Sequence, residues 1–287
     1  MLQRYFAIGL FLLSVSASAQ SGAPGVRGAR AAALGNASVT ISNDLWAVGN
    51  NVAGLAQLSR PEAGVYAENR FFIPHLNNAA LAAALPLGRQ PAGSTVTTPP
   101  HGVVGLEVQR FGDKRYNESR AGLGYAYRLG LISVGARVDM LQLSIEGLGS
   151  RRAVAASLGG QADIIPQKLT LGVSLYNLNQ ARLAEYQDER VPTILRAGLG
   201  FRPSAKVLLL AETEKDIDQD ADFRAGVEYQ VIDALAVRAG VATLTEQVTG
   251  GFGLHFGQLR VDYGAQLHNV LGLSQHLSVN FRLAPKS

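Results

Sequence analysis

The sequence predicts an all-β protein, a closed antiparallel transmembrane β-barrel of about fourteen strands with an N-terminal plug. Three observations predict this fold class. The N-terminus has the pattern of an export signal, and no later stretch is apolar enough for a membrane-spanning helix. The second half of the chain, above all, alternates apolar and polar residues in segments of about ten, each ended by turn residues.

The first element is a leader over residues 1–19. Arg4 precedes an apolar run from Tyr5 to Leu13, and Ala17-Ser18-Ala19 has the small-x-small pattern of a cleavage site. The apolar run is shorter than the roughly 20 residues that a membrane-spanning helix needs. We therefore expect cleavage near Ala19 and export of the mature chain.

Composition agrees with export and argues against a nucleic-acid partner. The 287 residues contain no cysteine, so the chain needs no disulfide outside the cytosol. The net charge of +4 is spread along the chain and not gathered in a stripe, so no nucleic-acid-binding surface is predicted.

Residues 20–61 form the second element, which lacks the strand pattern. The segment is small, polar and glycine-rich, but it has too many apolar residues for a linker. We predict a compact hatch that folds inside or under the barrel. Its apolar residues are Leu34, Val39, Ile41, Leu45, Trp46, Val48 and Leu55.

The third element, 62–287, is the barrel, in which alternation predicts the strands. The predicted segments are 62–72, 75–87, 101–111, 119–130, 131–145, 151–161, 167–179, 192–201, 205–216, 221–231, 233–243, 246–256, 258–268 and 273–283.

The two faces of these strands differ in polarity. In FRAGVEYQV (223–231), apolar residues alternate with Arg224, Gly226, Glu228 and Gln230. A soluble sandwich would bury the apolar face against a second sheet, whereas a barrel would expose it to lipid. The length and number of the strands favour the barrel, because closure pairs every strand edge. The predicted lumen-facing polar residues are Arg224, Glu228, Arg238, His255, Arg260, Asp262, His268, His276, Asn280 and Arg282.

Loop lengths predict the orientation. With the N-terminus in the periplasm, turns after even-numbered strands should be short, and five of the six are tight. The exception is the Pro-rich 88–101. The longest loop after an odd strand is 180–191, on the predicted outer side.

The candidate chemistry is limited. The lumen charges could form a polar conduit or a dock for an acidic head group, or they could pair to hold the wall and the plug. DIDQDAD (216–222) has acidic residues at alternate positions, but it lacks the Gly and distal Glu of an EF-hand, and strand alternation alone explains it. The five His have no metal-ligand spacing, and no motif surrounds Ser274 or Ser278 near His276. We expect no metal, no cofactor and no enzymatic activity.

The hatch segment GARAAALGNASVTISNDLWAVGNNVAGLA (28–56) resembles the N-terminal hatch of the FadL-like outer membrane proteins, and most of all their PorV/PorQ branch. Val52 stands where the family motif has Pro, which removes a fixed turn. The segments 223–241 and 259–283 also resemble this branch. The residues at the motif positions are Arg30, Leu34, Gly35, Ala37, Asp44, Asn51, Ala53, Gly54 and Leu55.

This resemblance implies a fourteen-stranded barrel in the outer membrane and one of two activities. The PorV/PorQ branch implies a role in type IX protein secretion, with secretion-system proteins and exported cargo as partners. The alternative is a FadL-like channel for uptake of hydrophobic small molecules. A lateral opening, a kinked strand and an apolar pocket beside the hatch would favour the channel. A sealed polar lumen would favour the partner-binding role.

Overall fold

A computed structural model describes residues 25–88, 98–183 and 190–283. Its strands follow one another around a single closed barrel, each antiparallel to the next, and β14 closes the ring by pairing with β1. The predicted fold class is therefore confirmed. The predicted leader, the predicted cleavage site near Ala19 and the first residues of the predicted hatch lie outside the described residues.

The strand bounds agree with the alternation pattern to within a few residues. β6 exceeds its predicted segment at both ends, and at its far end Asp163 is held between Arg128 and Thr170. The strands are β1 Glu62–Asn69, β2 Asn77–Pro86, β3 Val103–Gly112, β4 Tyr116–Leu129, β5 Ile132–Ile145, β6 Gly149–Ile165, β7 Leu169–Tyr176, β8 Ile194–Ser204, β9 Val207–Asp216, β10 Asp222–Ile232, β11 Leu235–Ala242, β12 Gln247–Phe256, β13 Leu259–His268 and β14 Gly272–Arg282.

The outer wall is apolar and exposed. Leu81 is 61% exposed, Leu123 57% and Phe223 60%, on three different strands. Leaving so much aliphatic and aromatic surface in water would be unfavourable, whereas a hydrocarbon environment suits it. Within the described ranges, no helix has the length and hydropathy to cross a membrane.

The two ends of the barrel differ in their connections. We call the end that carries Glu62 and Arg282 the base, and the opposite end the loop end. The base turns are two or three residues long except for the β2–β3 connection. The loop end carries the longest connection after an odd strand, residues 177–193, which we call the long loop.

The hatch fills the lumen with short helical turns instead of strands. It contains α1 (Ala29–Ala32), α2 (Ala47–Asn50) and a 3-10 helix (Val52–Gln57). Leu34, Leu45, Val48, Leu55 and Leu58 are fully buried there. The sequence indicated that this segment has too many apolar residues for a linker, and in the structure these residues form the core inside the barrel.

The wall meets the hatch through lumen-facing glycines. At five places two glycines lie directly opposite each other on neighbouring strands, and a side chain at these positions would collide with hatch atoms such as Val52, Val39, Leu34 or Ala33. Because a wall without side chains lets the hatch backbone approach closely, these glycines define its seat. The pairs are Gly105–Gly124, Gly135–Gly159, Gly172–Gly198, Gly226–Gly240 and Gly251–Gly264.

Candidate functional site

The hatch motif residues hold the hatch to itself and to the wall. Asn51 accepts a hydrogen bond from the Ala53 N–H at 3.3 Å and donates to the Val39 carbonyl at 2.7 Å, which shapes the start of the 3-10 helix. The Gly54 carbonyl accepts from Asn43 N–H at 3.1 Å. Gly35 has a φ of 67°, and its N–H donates to Thr249 Oγ1 at 2.9 Å.

Val52, at the position where the resemblance predicts proline, is buried and lies against the wall. A Cβ at Gly124 or Gly135 would come within 2.8 Å of one of its methyl groups. The valine side chain therefore occupies the space left by the missing side chains of Gly124 and Gly135. The turn is supplied by the Asn51 side chain, which caps the helix in the absence of proline.

A closed ring of alternating charges joins the hatch to β10, β11 and β13. Arg30 bonds Glu228 through two nitrogens, at 2.6 and 2.8 Å. Arg238 lies 2.6 Å from Glu228 and 2.8 Å from Asp262. Every charge in this ring has an opposite charge on each side. In order around it, the members are Arg30, Glu228, Arg238, Asp262, Arg260 and Asp44.

Asp44 is the hatch carboxylate of this ring. Burial alone would raise the pKa of the Asp44 carboxyl, but the Arg260 and Arg30 guanidiniums and the Trp46 N–H outweigh burial and hold that pKa below its ordinary value. The carboxylate accepts from Trp46 N–H at 2.9 Å, and it lies 3.3 Å from Arg30 and 3.5 Å from Arg260. It is therefore a charged link between α2 and the wall.

A second network, which the sequence did not single out, lies nearer the loop end. Arg27 of the hatch contacts Glu107 of β3 at 2.9 Å. Glu107 also contacts Arg137 at 2.7 Å, and Arg137 contacts Asp139 at 2.6 Å. All four side chains are almost completely buried. Strand alternation places Glu107, Arg137 and Asp139 on the lumen face, and this was the available signal. Arg27 lies in the hatch, 80 residues from Glu107 in sequence, so no local pattern indicated their pairing.

Four of the ten predicted lumen residues belong to the ring, and the others lie apart on the lumen face. Arg224 joins a third network with Glu214 of β9 at 2.7 Å. His276 Nδ1 lies 2.8 Å from the Tyr66 hydroxyl, and Asn280 accepts from Trp46 Nε1 at 3.0 Å. His268 Nδ1 accepts hydrogen bonds from two backbone N–H groups of the following loop. His255 and Arg282 line a chamber at the base.

The acidic residues of 216–222 divide into two groups. Asp216 and Asp222 are buried at the ends of β9 and β10, whereas Asp218 and Asp220 are exposed. Asp222 accepts from Leu244 N–H at 2.8 Å and contacts Arg224 at 2.8 Å. These side chains therefore connect neighbouring strands and loops. Within the described ranges, no group of three His, Cys, Asp or Glu residues could hold a metal ion.

The base chamber is a polar cavity of about 880 Å³. Hatch residues Ser42, Asn43, Gln57 and Ser59 line one side of it, and the base turns form its rim. Arginines and amides dominate the remaining wall. The charged residues that line it are Arg30, Arg128, Arg202, Arg238, Arg260, Arg282, Glu62, Asp163 and Glu228.

The lumen is apolar in one sector of the loop end. There the inward-facing residues of β5 to β8 form a hydrophobic cluster, onto which Ala181, Leu183 and Val191 of the long loop pack. A cavity of about 30 Å³, room for one water-sized molecule, remains between the cluster and the polar residues of β3–β5, which are Gln109, Glu118, Ser119, Arg120 and Gln142. We call this region the apolar pocket. The cluster contains Leu141, Leu143, Ala153, Ala155, Tyr176, Ala181, Leu183, Val191 and Ile194.

No family model and no curated protein matches the sequence. Solved structures do. The Ralstonia pickettii toluene transporter TbuX superimposes with a TM-score of 0.69 at 12% identity, over 91% of this chain and 99% of that one. A mutant of the monoaromatic hydrocarbon channel TodX gives a TM-score of 0.64 at 12% identity, over 90% and 97% of the two chains.

The chain shares their barrel fold. The Acinetobacter baumannii outer membrane protein Omp33 is more distant, with a TM-score of 0.50 at 10% identity over 78% of this chain and 98% of that one. A closed barrel with an apolar outer wall is a structure of outer membranes, and the predicted outer membrane location is confirmed.

Proposed function

We propose that this protein is an outer membrane channel for the uptake of small hydrophobic molecules. The observation that carries the proposal is the apolar pocket. Lumen-facing positions of membrane barrels are ordinarily polar, and this lumen follows that rule in its middle and at its base. In one sector of the loop end, by contrast, Leu141, Tyr176 and Ile194 face inward.

The pocket has the chemistry of a first binding site. Leu141, Leu143, Leu183 and Val191 line one side of it and favour apolar molecules, because burial gains about 25 cal/mol per Å² of apolar surface. The cavity of about 30 Å³ must widen to admit such a molecule. The long loop contributes Leu183 and Val191 and so covers the pocket from the loop end. Two of the compared structures, TbuX and TodX, are named for toluene and monoaromatic hydrocarbons. We therefore propose the same class of substrate here.

Passage requires the hatch to rearrange. The cavities between hatch and wall in the middle of the barrel measure only about 30 and 10 Å³. The wall offers no lateral gap beside β3, which pairs with β2 and β4 without a register shift. The register shifts among the described strands lie near the base, on β6, β8 and β10. A molecule in the apolar pocket would therefore reach the base only after the hatch moves.

Uptake of radiolabelled toluene by cells of a host without its own hydrocarbon channel tests the proposal. Wild-type protein should raise the initial uptake rate, and Leu141→Asn should lower it several-fold, because a polar amide would enter the apolar pocket. Leu148→Asn is the matched control, since Leu148 is 82% exposed at a loop tip. A heat-modifiability gel verifies that each variant folds. Uptake equal to that of cells with the empty vector would refute the channel.

A partner-binding role of the PorV/PorQ kind, in type IX secretion, is the second candidate. It is supported by the continuous wall and the filled lumen, which are the features expected of a barrel that presents a surface to other proteins. A pull-down from detergent extract of the native membrane distinguishes the two. Stoichiometric co-purification of secretion-system proteins or cargo would favour this role, and their absence would remove its support.

A further inference from the structure

We infer that the base chamber binds a small organic carboxylate, held by Arg202. The inference goes beyond hydrocarbon uptake and concerns the opposite end of the lumen. It rests on the charge pairing in the chamber, on the position of Arg202 and on the shape and size of the cavity.

Five of the six arginines that line the chamber have carboxylate partners. Arg128 lies 2.5 Å from Asp163, and Arg282 lies 3.0 Å from Glu62. Arg30, Arg238 and Arg260 belong to the ring. In the part of the chain that the structure describes, Arg202 forms no ion pair. The chamber and the ring together contain six arginines and five carboxylates, which leaves one positive charge in excess. The carboxylates are Glu62, Asp163 and Glu228 of the chamber and the two further ring members Asp44 and Asp262.

Arg202 carries this excess charge and faces the chamber. It lies on the lumen side of β8, two residues beyond Gly200, against which the hatch residue Thr40 packs. Its backbone N–H donates to the Lys168 carbonyl, so the strand is fixed up to this position. The side chain is half-buried. A guanidinium partly removed from water and without a counter-charge is a favourable site for an anion.

The surroundings select a carboxylate. The planar guanidinium fork matches a carboxylate with two parallel hydrogen bonds. The amide of Gln167 also lines the chamber and can donate to a bound oxygen. A single excess charge suits a monoanion better than a doubly charged phosphate. The cavity of about 880 Å³ falls in the range of small-molecule sites, about 300–1,000 Å³.

Isothermal titration of the folded protein in detergent at low salt tests the inference, with benzoate as the probe. Benzoate should bind, and Arg202→Gln should weaken binding at least tenfold. Arg202→Lys should retain part of the affinity, because it keeps the charge and loses the fork. Lys206→Gln is the matched control: it removes the same charge from an exposed base turn and should bind like wild type.

Two neutral or competing probes complete the test. Benzyl alcohol should bind at least tenfold more weakly than benzoate, and inorganic phosphate should not bind more tightly than benzoate. Equal benzoate affinity in wild type and Arg202→Gln would overturn the inference, as would tight binding of benzyl alcohol. Preference for phosphate would overturn the assignment to carboxylates. Toluene uptake is measured separately, so failure here leaves the proposed channel unaffected, and the reverse also holds.

Discussion

Gly226 on β10 and Gly240 on β11 lie directly opposite each other, and both face Leu34 of the hatch. A Cβ at Gly226 would come within 2.6 Å of the Leu34 carbonyl oxygen, and one at Gly240 would overlap the backbone of Leu34 and Gly35. Neither glycine has a positive φ. The wall therefore needs glycine here for close approach of the hatch, not for backbone conformation.

We predict that Gly240→Ala displaces the hatch without opening the barrel. The added methyl group meets backbone atoms that cannot rotate away, and overpacking of this kind costs about 1–3 kcal/mol. Trypsin should then cut after Arg27 or Arg30, which are shielded in the wild-type lumen. The heat-modifiability of the barrel should persist.

Gly250→Ala is the control for this variant. Gly250 is on β12, where, among the described residues, an added Cβ would have one close neighbour, the Arg238 carbonyl oxygen at 3.7 Å, which is an ordinary contact. Its digestion pattern should match that of wild type. If Gly240→Ala were equally resistant to trypsin, the close approach of hatch and wall at this glycine pair would be refuted.

The barrel could be predicted from sequence because strand alternation is a local signal. In FRAGVEYQV the side chains of Arg224 and Glu228 fall on the lumen side and those of Phe223 and Val227 on the lipid side, as period-2 geometry requires. The same pattern marked Gly226 as inward-facing. It did not show what this glycine faces, because the hatch that covers it comes from the other end of the chain.

The charge networks and the apolar pocket depend on pairings that sequence does not display. Arg27 and Glu107 are far apart in sequence, and only closure of the barrel around the hatch brings them together. Alternation with Arg137 and Asp139 places Leu141 on the lumen face, but the sequence does not show that this part of the lumen is apolar or that a loop covers it. Long-range packing, not local propensity, decides both.

Acid should weaken the attachment of the hatch through Asp44. Because the folded-state pKa of Asp44 is depressed, its stabilisation is fully present above the unfolded pKa of about 4. It is lost as the pH falls through the lower folded-state value. At pH 7, Asp44→Asn should lower the thermal midpoint of hatch release, measured by Trp46 fluorescence. The difference from wild type should shrink toward zero in strong acid, and a pH-independent difference would contradict this linkage.

Removal of the second network should loosen the hatch at the loop end. Arg27→Met leaves Glu107, which is 1% exposed, with one partner fewer, and breaking a buried pair costs about 3–5 kcal/mol. Acrylamide should quench Trp46 more strongly, and single-channel conductance should rise. Arg60→Met, at an exposed position before β1, controls for lost charge and should leave both unchanged. Unaltered quenching in Arg27→Met would show that this pair does not hold the hatch.

Asn177 should control the cover of the apolar pocket. It is buried, has a φ of 56°, donates to the Val191 carbonyl at 2.7 Å and accepts from Ala181 N–H at 2.9 Å. Asn177→Ala loses both hydrogen bonds and places alanine in the left-handed region, at a cost of about 1–2 kcal/mol for the backbone alone. We expect faster tryptic cleavage within the long loop.

Asn177→Gly separates the two contributions, because glycine loses the hydrogen bonds but adopts the left-handed conformation without strain. Its cleavage rate should lie between those of wild type and Asn177→Ala. Asn269→Ala, in an exposed loop on the same end, should behave like wild type. Equal cleavage in all four proteins would mean that Asn177 does not hold the long loop over Leu141 and Leu143, and the cover of the pocket would then depend on the hydrophobic contacts of Leu183 and Val191 alone.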